Sequence, residues 1–373
     1  MKSKKLLIIT TVPMTFRDIL KGQPKKISQY YDVSLVSSNS PYFEQVSKDE
    51  GVTFFSVPME RGINVFKDLM SLYRMILLFN KVKPDAIHSY TPKAGLISML
   101  AGAVCKIPSR IHTFTGLIFP TSTGLKRFIL MLMDRLICFC ATTVVPEGEG
   151  VKKDLVNFRI TKKNMEVIGN GNIAGVDTSY YSPRFISKPG LDIRSQFSIP
   201  VGSFVFVYAG RLTLDKGISE LLQALPENAH LILVGEQDTR SPLPIECQQK
   251  ISSASNIHVT GWLSDIRPAL SIANTFVLPS YREGFPNTIL QCGSMGVPAI
   301  VTNINGSNEV IYEGYNGWVI EPKSSDKLKH AMSQAMQSDY LIKIGNNARS
   351  NVKNKYEKEA YHDFLIDFYS KVI

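Results

Sequence analysis

Two hydrophobic rhythms alternate along this chain. Short, unbroken apolar runs such as Leu6-Leu7-Ile8-Ile9 mark strands buried on both faces. They fall at residues 6–10, 32–37, 53–57, 86–89 and 110–113, with further candidates at 142–146 and 165–169. Between them, residues 67–80, 93–104 and 126–139 have helical spacing and length. This alternation predicts an α/β fold with a parallel, doubly wound sheet. The rhythm pauses over the turn-rich residues 170–183 and resumes with six more candidate strands at 204–209, 231–234, 257–260, 275–279, 299–302 and 317–320. The expected organisation is a first domain over 1–183, a second over 184–355 and a closing helix over 356–373.

Two Rossmann-like units in one chain are expected to face each other across a cleft. Such sheets bind ligands beyond the carboxyl ends of their strands, where helix N-termini present backbone N–H groups. Two such edges suit two substrates, which is the logic of a group transferase.

Composition narrows the picture. Of 373 residues, 44% are apolar and 20% charged, which fits packed domains rather than disorder. The net charge of +10 is unevenly placed. Residues 1–183 hold 24 Lys and Arg against 14 Asp and Glu; residues 184–373 hold 18 of each. A basic first half points to an anionic partner: nucleic acid, an acidic membrane surface or a phosphorylated acceptor. Solubilising charge without a partner is the alternative. No aromatic-basic module supports nucleic acid, which ranks last.

The N-terminal run Met1-Lys-Ser-Lys-Lys-Leu-Leu-Ile-Ile is too short for a signal peptide and lacks a cleavage site, so it reads as a first strand. Residues 128–145 are the most apolar stretch, yet Asp134 and Arg135 interrupt them short of the ~20 residues that a membrane span needs. Five cysteines without metal-ligand spacing fit a reducing cytosol, and Cys138-Phe-Cys140 reads as core. Along 67–83, Leu69, Tyr73, Ile76 and Leu77 share a face while Lys67, Arg74 and Lys81 recur every seven residues. That pattern fits contact with anionic lipid, or equally a core helix with a solvated face. Residues 126–139 are apolar nearly all round, save Lys126, Arg127 and Arg135; burial is expected there rather than membrane contact.

Three constellations carry candidate chemistry. In Tyr208-Ala-Gly210-Arg211-Leu-Thr-Leu-Asp-Lys216-Gly217 a strand ends at a glycine and two cations follow. A planar Arg fork and a mobile Lys charge suit a diphosphate, although two solvated loop cations would read the same. In Ser280-Tyr-Arg-Glu283-Gly284-Phe285-Pro286-Asn287 a strand runs into a helix that continues past Gln291. Glu283 is placed to bind sugar hydroxyls, or merely to complement the helix dipole. In Arg110-Ile-His112-Thr-Phe-Thr115-Gly116 a histidine at a strand end offers a hydrogen bond to a sugar or to developing charge; a structural histidine is the alternative.

Taken together, these motifs resemble family 4 of the glycosyltransferases, the retaining GT-B enzymes. The resemblance covers essentially the whole chain. It is carried by Gly210-Arg211, Lys216-Gly217, Leu233-Val-Gly235-Glu, Val259-Thr-Gly261-Trp, Glu283-Gly284-Phe285-Pro286, Met295-Gly-Val-Pro298 and Asn305-Gly306-Ser-Asn-Glu309. The stretches around His112 and Gly306 look like the branch that assembles bacterial surface polysaccharides. The resemblance implies that Arg211 and Lys216 hold the donor diphosphate, with Gly210 at the turn before them. It implies that Glu283, Gly284 and Phe285 meet the donor sugar, with Asn287 beside them, that His112 reaches the same sugar, and that backbone at Val259 and Gly261 reads the base. No metal is expected, since cations and a helix N-terminus take its place.

Two departures stand out. The family's second glutamate, which binds ribose, is Gln291 here; a neutral amide should make a weaker contact. The loop after the first strand lacks the usual glycine pair, and Thr11, Thr15 or Arg17 would meet acceptor or donor phosphate instead, with Thr115 and Gly116 as further acceptor candidates. The implied activity is transfer of a hexose or related sugar from a UDP- or GDP-sugar to a lipid-linked glycan acceptor, at the cytoplasmic face of an anionic membrane surface. An epimerase acting on the nucleotide sugar, or a nucleotide-sugar-binding protein without turnover, are the rival readings.

Overall fold

The computed structural model describes residues 4–60, 62, 64–185, 192–239 and 241–373, so Met1 to Ser3 of the N-terminal run lie outside it. The chain forms two compact units: Met1–Ala174 with Glu359–Ile373, and Gly175–Lys358.

The first unit is built on six parallel strands: β1 (Lys5–Ile9), β2 (Asp32–Ser37), β3 (Thr53–Ser56), β4 (Ala86–Tyr90), β5 (Ser109–Phe114) and β6 (Thr143–Pro146), in the order β3-β2-β1-β4-β5-β6. The unbroken apolar runs are explained by cover on both faces; β4 is buried at every position. The second unit repeats the plan with β7 (Phe204–Ala209), β8 (Ala229–Val234), β9 (Ile257–Gly261), β10 (Thr275–Leu278), β11 (Ala299–Thr302) and β12 (Gly317–Ile320), in the order β12-β11-β10-β7-β8-β9. Two doubly wound parallel sheets were expected, and two are found. Each reverses its strand order once, between β1 and β4 and between β7 and β10. At such a reversal the loops leaving the two central strands part to opposite faces and open a crevice.

The helix Lys358–Val372 is packed into the first unit. Tyr369 Oη lies 2.7 Å from His88 Nδ1 inside the core, and Ser109 Oγ donates to the carbonyl of Val372 at 2.8 Å.

Two expectations are corrected, and the apolar face named along residues 67–83 is not the one that enters the core. Residues 165–169 form no strand: Met165 and Ile168 pack inward from a loop that turns at Gly169 (φ 59°). The helix over 126–139 spans Gly124–Cys140, and it is buried on one face only: Ile137, Cys138 and Cys140 are buried, whereas Leu125 (73%), Phe128 (59%), Leu132 (54%) and Phe139 (81%) face outward. On the helix Val65–Val82 it is Met75 and Phe79 that enter the core, whereas Leu69, Tyr73 and Leu77 are exposed. The cause is the helix Pro92–Val104, which packs between the other two. Small residues let it settle onto the sheet; a Cβ on Gly95 would lie 2.3 Å from the His112 ring, and one on Gly102 would lie 2.6 Å from Ile87. It takes the middle of the sheet, over β1, β4 and β5, and each neighbour buries only one of its faces.

Candidate active site

The reversal between β7 and β10 gathers the charged motifs. After β7 the chain passes Gly210 and Arg211, makes one tight turn over Leu214–Lys216 and reaches Gly217 at φ 71°. A Cβ on Gly217 would lie 2.1 Å from the carbonyl oxygen of Pro279, just past β10. Only glycine lets these loops touch. Lys216 Nζ then donates to Glu283 Oε1 at 2.5 Å, with both side chains mostly buried. Beside them Arg282 pairs with Asp215 at 3.2 Å, the Tyr281 N–H donates to the Asp215 carbonyl at 2.9 Å, and the Tyr281 hydroxyl donates to Glu220 at 2.5 Å. Burial opposes the charge on Asp215, but the Thr213 hydroxyl and the Arg282, Lys216 and Arg211 cations outweigh it and hold its carboxyl below the ordinary range.

Arg211 is half-exposed and its Nη1 donates to Asp238 Oδ2 at 2.9 Å, from the loop after β8. The backbone laces the remaining strand ends together: the Gly210 N–H donates to Val234 and the Gly235 N–H to Gly261, both at 2.9 Å. Val259 and Gly261 therefore stand at the same edge, two strands from β7. Past Glu283, the Gly284–Phe285 backbone lies against Gly306 (φ 77°), where a Cβ would sit 2.2 Å from the Gly284 carbonyl oxygen. Asn287 begins the helix Asn287–Ser294, and Gln291 follows one turn later, half-buried. The second unit thus collects Gly210, Arg211, Lys216, Glu283, Gly284, Phe285, Asn287 and Gln291 around one reversal, with Val259 and Gly261 along its edge.

The first unit holds the other candidates, in a different chemical setting. His112 lies on β5 beside Ser89 of β4, and its Nδ1 is 2.8 Å from Ser89 Oγ. The ring lies over Gly95 and edge-on to Phe114 at 4.6 Å. Burial pushes its pKa down to about 3, against a smaller opposing contribution from Ser89, so the imidazole is neutral at neutral pH. At the β1–β4 reversal the hydroxyls of Thr11 and Thr91 are 2.8 Å apart, and Thr91 is held at φ 75°, a costly conformation for a branched residue. Thr15 is buried in the turn that follows. Arg17 is clamped onto Asp18 by bonds of 2.6 and 2.8 Å and lies over the Tyr42 ring. Thr115 and Gly116 are half-buried just past β5.

Sequence reasoning did not single out Asp215, Glu220, Asp238 or Thr91. Asp215 carried a signal, since it directly precedes Lys216. The others depend on which loops meet, which no local pattern states. Among the described residues, no group of three or more His, Cys, Asp or Glu side chains is placed to hold a metal ion.

Comparison with known proteins gives the family. A Glycosyl transferase 4-like domain matches residues 18–171, and Glycosyl transferases group 1 matches residues 191–357. The chain is 30% identical, over 99% of its length and 98% of the relative's, to the capsular polysaccharide biosynthesis glycosyltransferase CapM of Staphylococcus aureus. It is 26% identical, over 93% of its length and 90% of the relative's, to the UDP-Gal:alpha-D-GlcNAc-diphosphoundecaprenol alpha-1,3-galactosyltransferase of Escherichia coli. In fold it is similar to Anabaena Alr3699/HepE in complex with UDP-glucose, with a TM-score of 0.78 at 17% identity, covering 98% of this chain and 99% of that one. The chain belongs to the family 4 glycosyltransferases of GT-B fold, among the enzymes of bacterial surface-polysaccharide biosynthesis. It uses a nucleotide sugar and acts in polysaccharide biosynthesis.

Proposed function

We propose that this enzyme transfers a hexose or related sugar from a UDP- or GDP-sugar, with retention of anomeric configuration, to a hydroxyl of a polyprenyl-diphosphate-linked glycan. The observation that carries the reading is the 2.5 Å pair between Lys216 and Glu283, which unites a diphosphate-binding motif with a sugar-binding motif.

In this reading Arg211 and Lys216 bind the donor diphosphate, and Glu283 turns from Lys216 toward sugar hydroxyls as the phosphate takes its place. The bond from the anomeric carbon to the phosphate oxygen breaks, its electron pair leaves with the diphosphate, and positive charge develops on the sugar. Arg211 and Lys216 stabilise the leaving charge electrostatically. The acceptor oxygen attacks from the face the phosphate leaves, and its proton passes to that phosphate. Glu283 with the Gly284–Phe285 backbone and Asn287 orients the sugar, Gln291 meets the ribose, and Val259 and Gly261 meet the base. His112, neutral, contributes a hydrogen bond to the sugar. Thr11, Thr15, Arg17, Thr115 and Gly116 serve the acceptor from the first unit. No metal takes part.

A lipid-linked acceptor is supported by the diphosphoundecaprenol substrate named for the Escherichia coli relative and by the basic first half of the chain. The enzyme would then work at the cytoplasmic face of the membrane, against anionic lipid. None of the described helices is long and apolar enough to cross a bilayer.

The test is a panel of UDP- and GDP-sugars with a lipid-extract acceptor, read by mass spectrometry, with the product's anomeric configuration read by NMR. One donor is expected to give a lipid-linked product of retained configuration. An inverted product would end the same-face mechanism. Isomerisation of the donor without acceptor would identify an epimerase, and tight donor binding without transfer would identify a binding protein.

A further inference from the structure

The helices Val65–Val82 and Gly124–Cys140 carry an outward face that the fold leaves uncovered. On the first, Phe66, Leu69, Met70, Tyr73 and Leu77 are all exposed, Phe66 at 83%. At 3.6 residues per turn these five fall within a stripe about 100° wide. Lys67, Arg74 and Lys81, also exposed, line one edge of that stripe. On the second helix, Leu125, Phe128, Ile129, Leu132, Leu136 and Phe139 form a matching stripe about 100° wide. Lys126 and Arg135, both exposed, flank it. The same buried helix, Pro92–Val104, packs against both, so the two stripes belong to one helical layer.

We infer that this layer is a membrane-docking surface that inserts its two apolar stripes among anionic lipids. Exposed apolar side chains on this scale mark an interaction site. The occupant is identified by the charge. The exposed cations beside the stripes are met by few anions: Asp68 is turned onto Lys93 at 2.5 Å, Asp134 is buried, and Glu60 binds Lys67 at 2.6 Å. An apolar face edged with Lys and Arg matches the boundary between acyl chains and acidic headgroups. It complements that boundary better than it would a second copy of itself, whose cations would meet cations. The inference deepens the lipid-linked-acceptor reading, since it supplies the element that would bring the first unit to such an acceptor. It uses no residue of the candidate active site.

The experiment is flotation of the full chain, without nucleotide or acceptor, on vesicles of phosphatidylcholine alone and of phosphatidylcholine with phosphatidylglycerol at about 3:1. The wild type should float with the mixed vesicles and keep a measurable fraction bound at high salt, because the stripes contribute without charge. Leu69→Glu with Tyr73→Glu, and separately Phe128→Glu with Leu132→Glu, should each lower partitioning at least about tenfold. Val201→Glu, at an exposed apolar position of the second unit, should not change it. These sites are on the surface, and circular dichroism confirms folding. Phe128→Trp gives an independent reading: its emission should shift to the blue on adding mixed vesicles.

Three outcomes would overturn the inference. One is failure of the wild type to float on either vesicle. Another is binding that salt abolishes and the glutamate variants leave unchanged. The third is a lipid-free dimer that these variants dissociate, which would make the face a self-association surface. A chain that docks on empty vesicles yet transfers no sugar to a lipid-linked acceptor would keep the docking surface and lose the proposed acceptor. Transfer without docking would do the reverse.

Discussion

The reversals of the two sheets repeat one pattern of strand order and hold different chemistry. Around β7 and β10 the loops carry charge in pairs: Lys216 with Glu283, Arg282 with Asp215, and Arg211 with Asp238 nearby. At β1 and β4, with the adjoining β5, the bonded groups are hydroxyls and an imidazole kept neutral by burial. One scaffold therefore presents an edge of paired charges and, at Thr11, Thr91 and His112, a hydrogen-bonding edge without charge, with the Arg17–Asp18 pair further along its loop. The difference lies in loop side chains, which is why fold alone does not name a function.

The largest effects are expected on the charged side. Lys216→Ala should lower transfer by at least about 100-fold, the scale of losing a charge-stabilising group in the transition state. Arg211→Ala should act in the same direction. Full activity in steady-state assays of both variants would remove the diphosphate role. Glu283→Gln keeps the shape and removes the charge that pairs with Lys216. It should lower kcat more than it raises KM for the donor, and the reverse split would assign Glu283 to ground-state binding alone.

Smaller effects sharpen the contrast. Gln291→Glu should tighten nucleotide binding several-fold by making the ribose contact charge-assisted, and Gln291→Ala should weaken it; calorimetry with the free nucleotide reads both. Unchanged affinity in the two variants would sever Gln291 from the donor.

The neutral side is tested through pH. His112 binds its proton at about 3 when folded and near 6.5 when unfolded, so the unfolded chain holds more protons between those values. Stability should fall as pH drops through that window, and His88, also shifted down by burial, adds to the fall. Asp134 works oppositely. Burial raises its carboxyl to about 7, so the folded chain holds the extra proton and stability is lost as pH rises from about 4 to 7. Melting curves should accordingly show Asp134→Asn gaining most over the wild type at pH 7 and above, and little near pH 4.

Much of this was legible in the sequence, for definite reasons. Strands such as β1 and β10 are buried on both faces, so their apolar runs are unbroken and easily read. The motif at Glu283 announces itself by a strand running into Pro286 and a helix. What could not be read was anything set by which elements become neighbours. The helix Gly124–Cys140 is apolar nearly all round, and such a pattern normally means burial. Here the small residues of Pro92–Val104 let that helix take the middle of the sheet and leave one face of its neighbour outside. Likewise, no local pattern tells Arg211 that Asp238 will hold it, because the contact forms only when the loops after β7 and β8 meet.

The position of the last helix sets a timetable. Lys358–Val372 completes the core of the first unit, yet it is made only after all of Gly175–Lys358. At about 5–20 residues per second, the nascent first unit waits on the order of ten seconds or more for the piece that seals Tyr369 against His88. During that interval β4 and β5 lack their final cover. Removing Lys358–Val372 should therefore disturb the production of the first unit, whose other residues are made well before it.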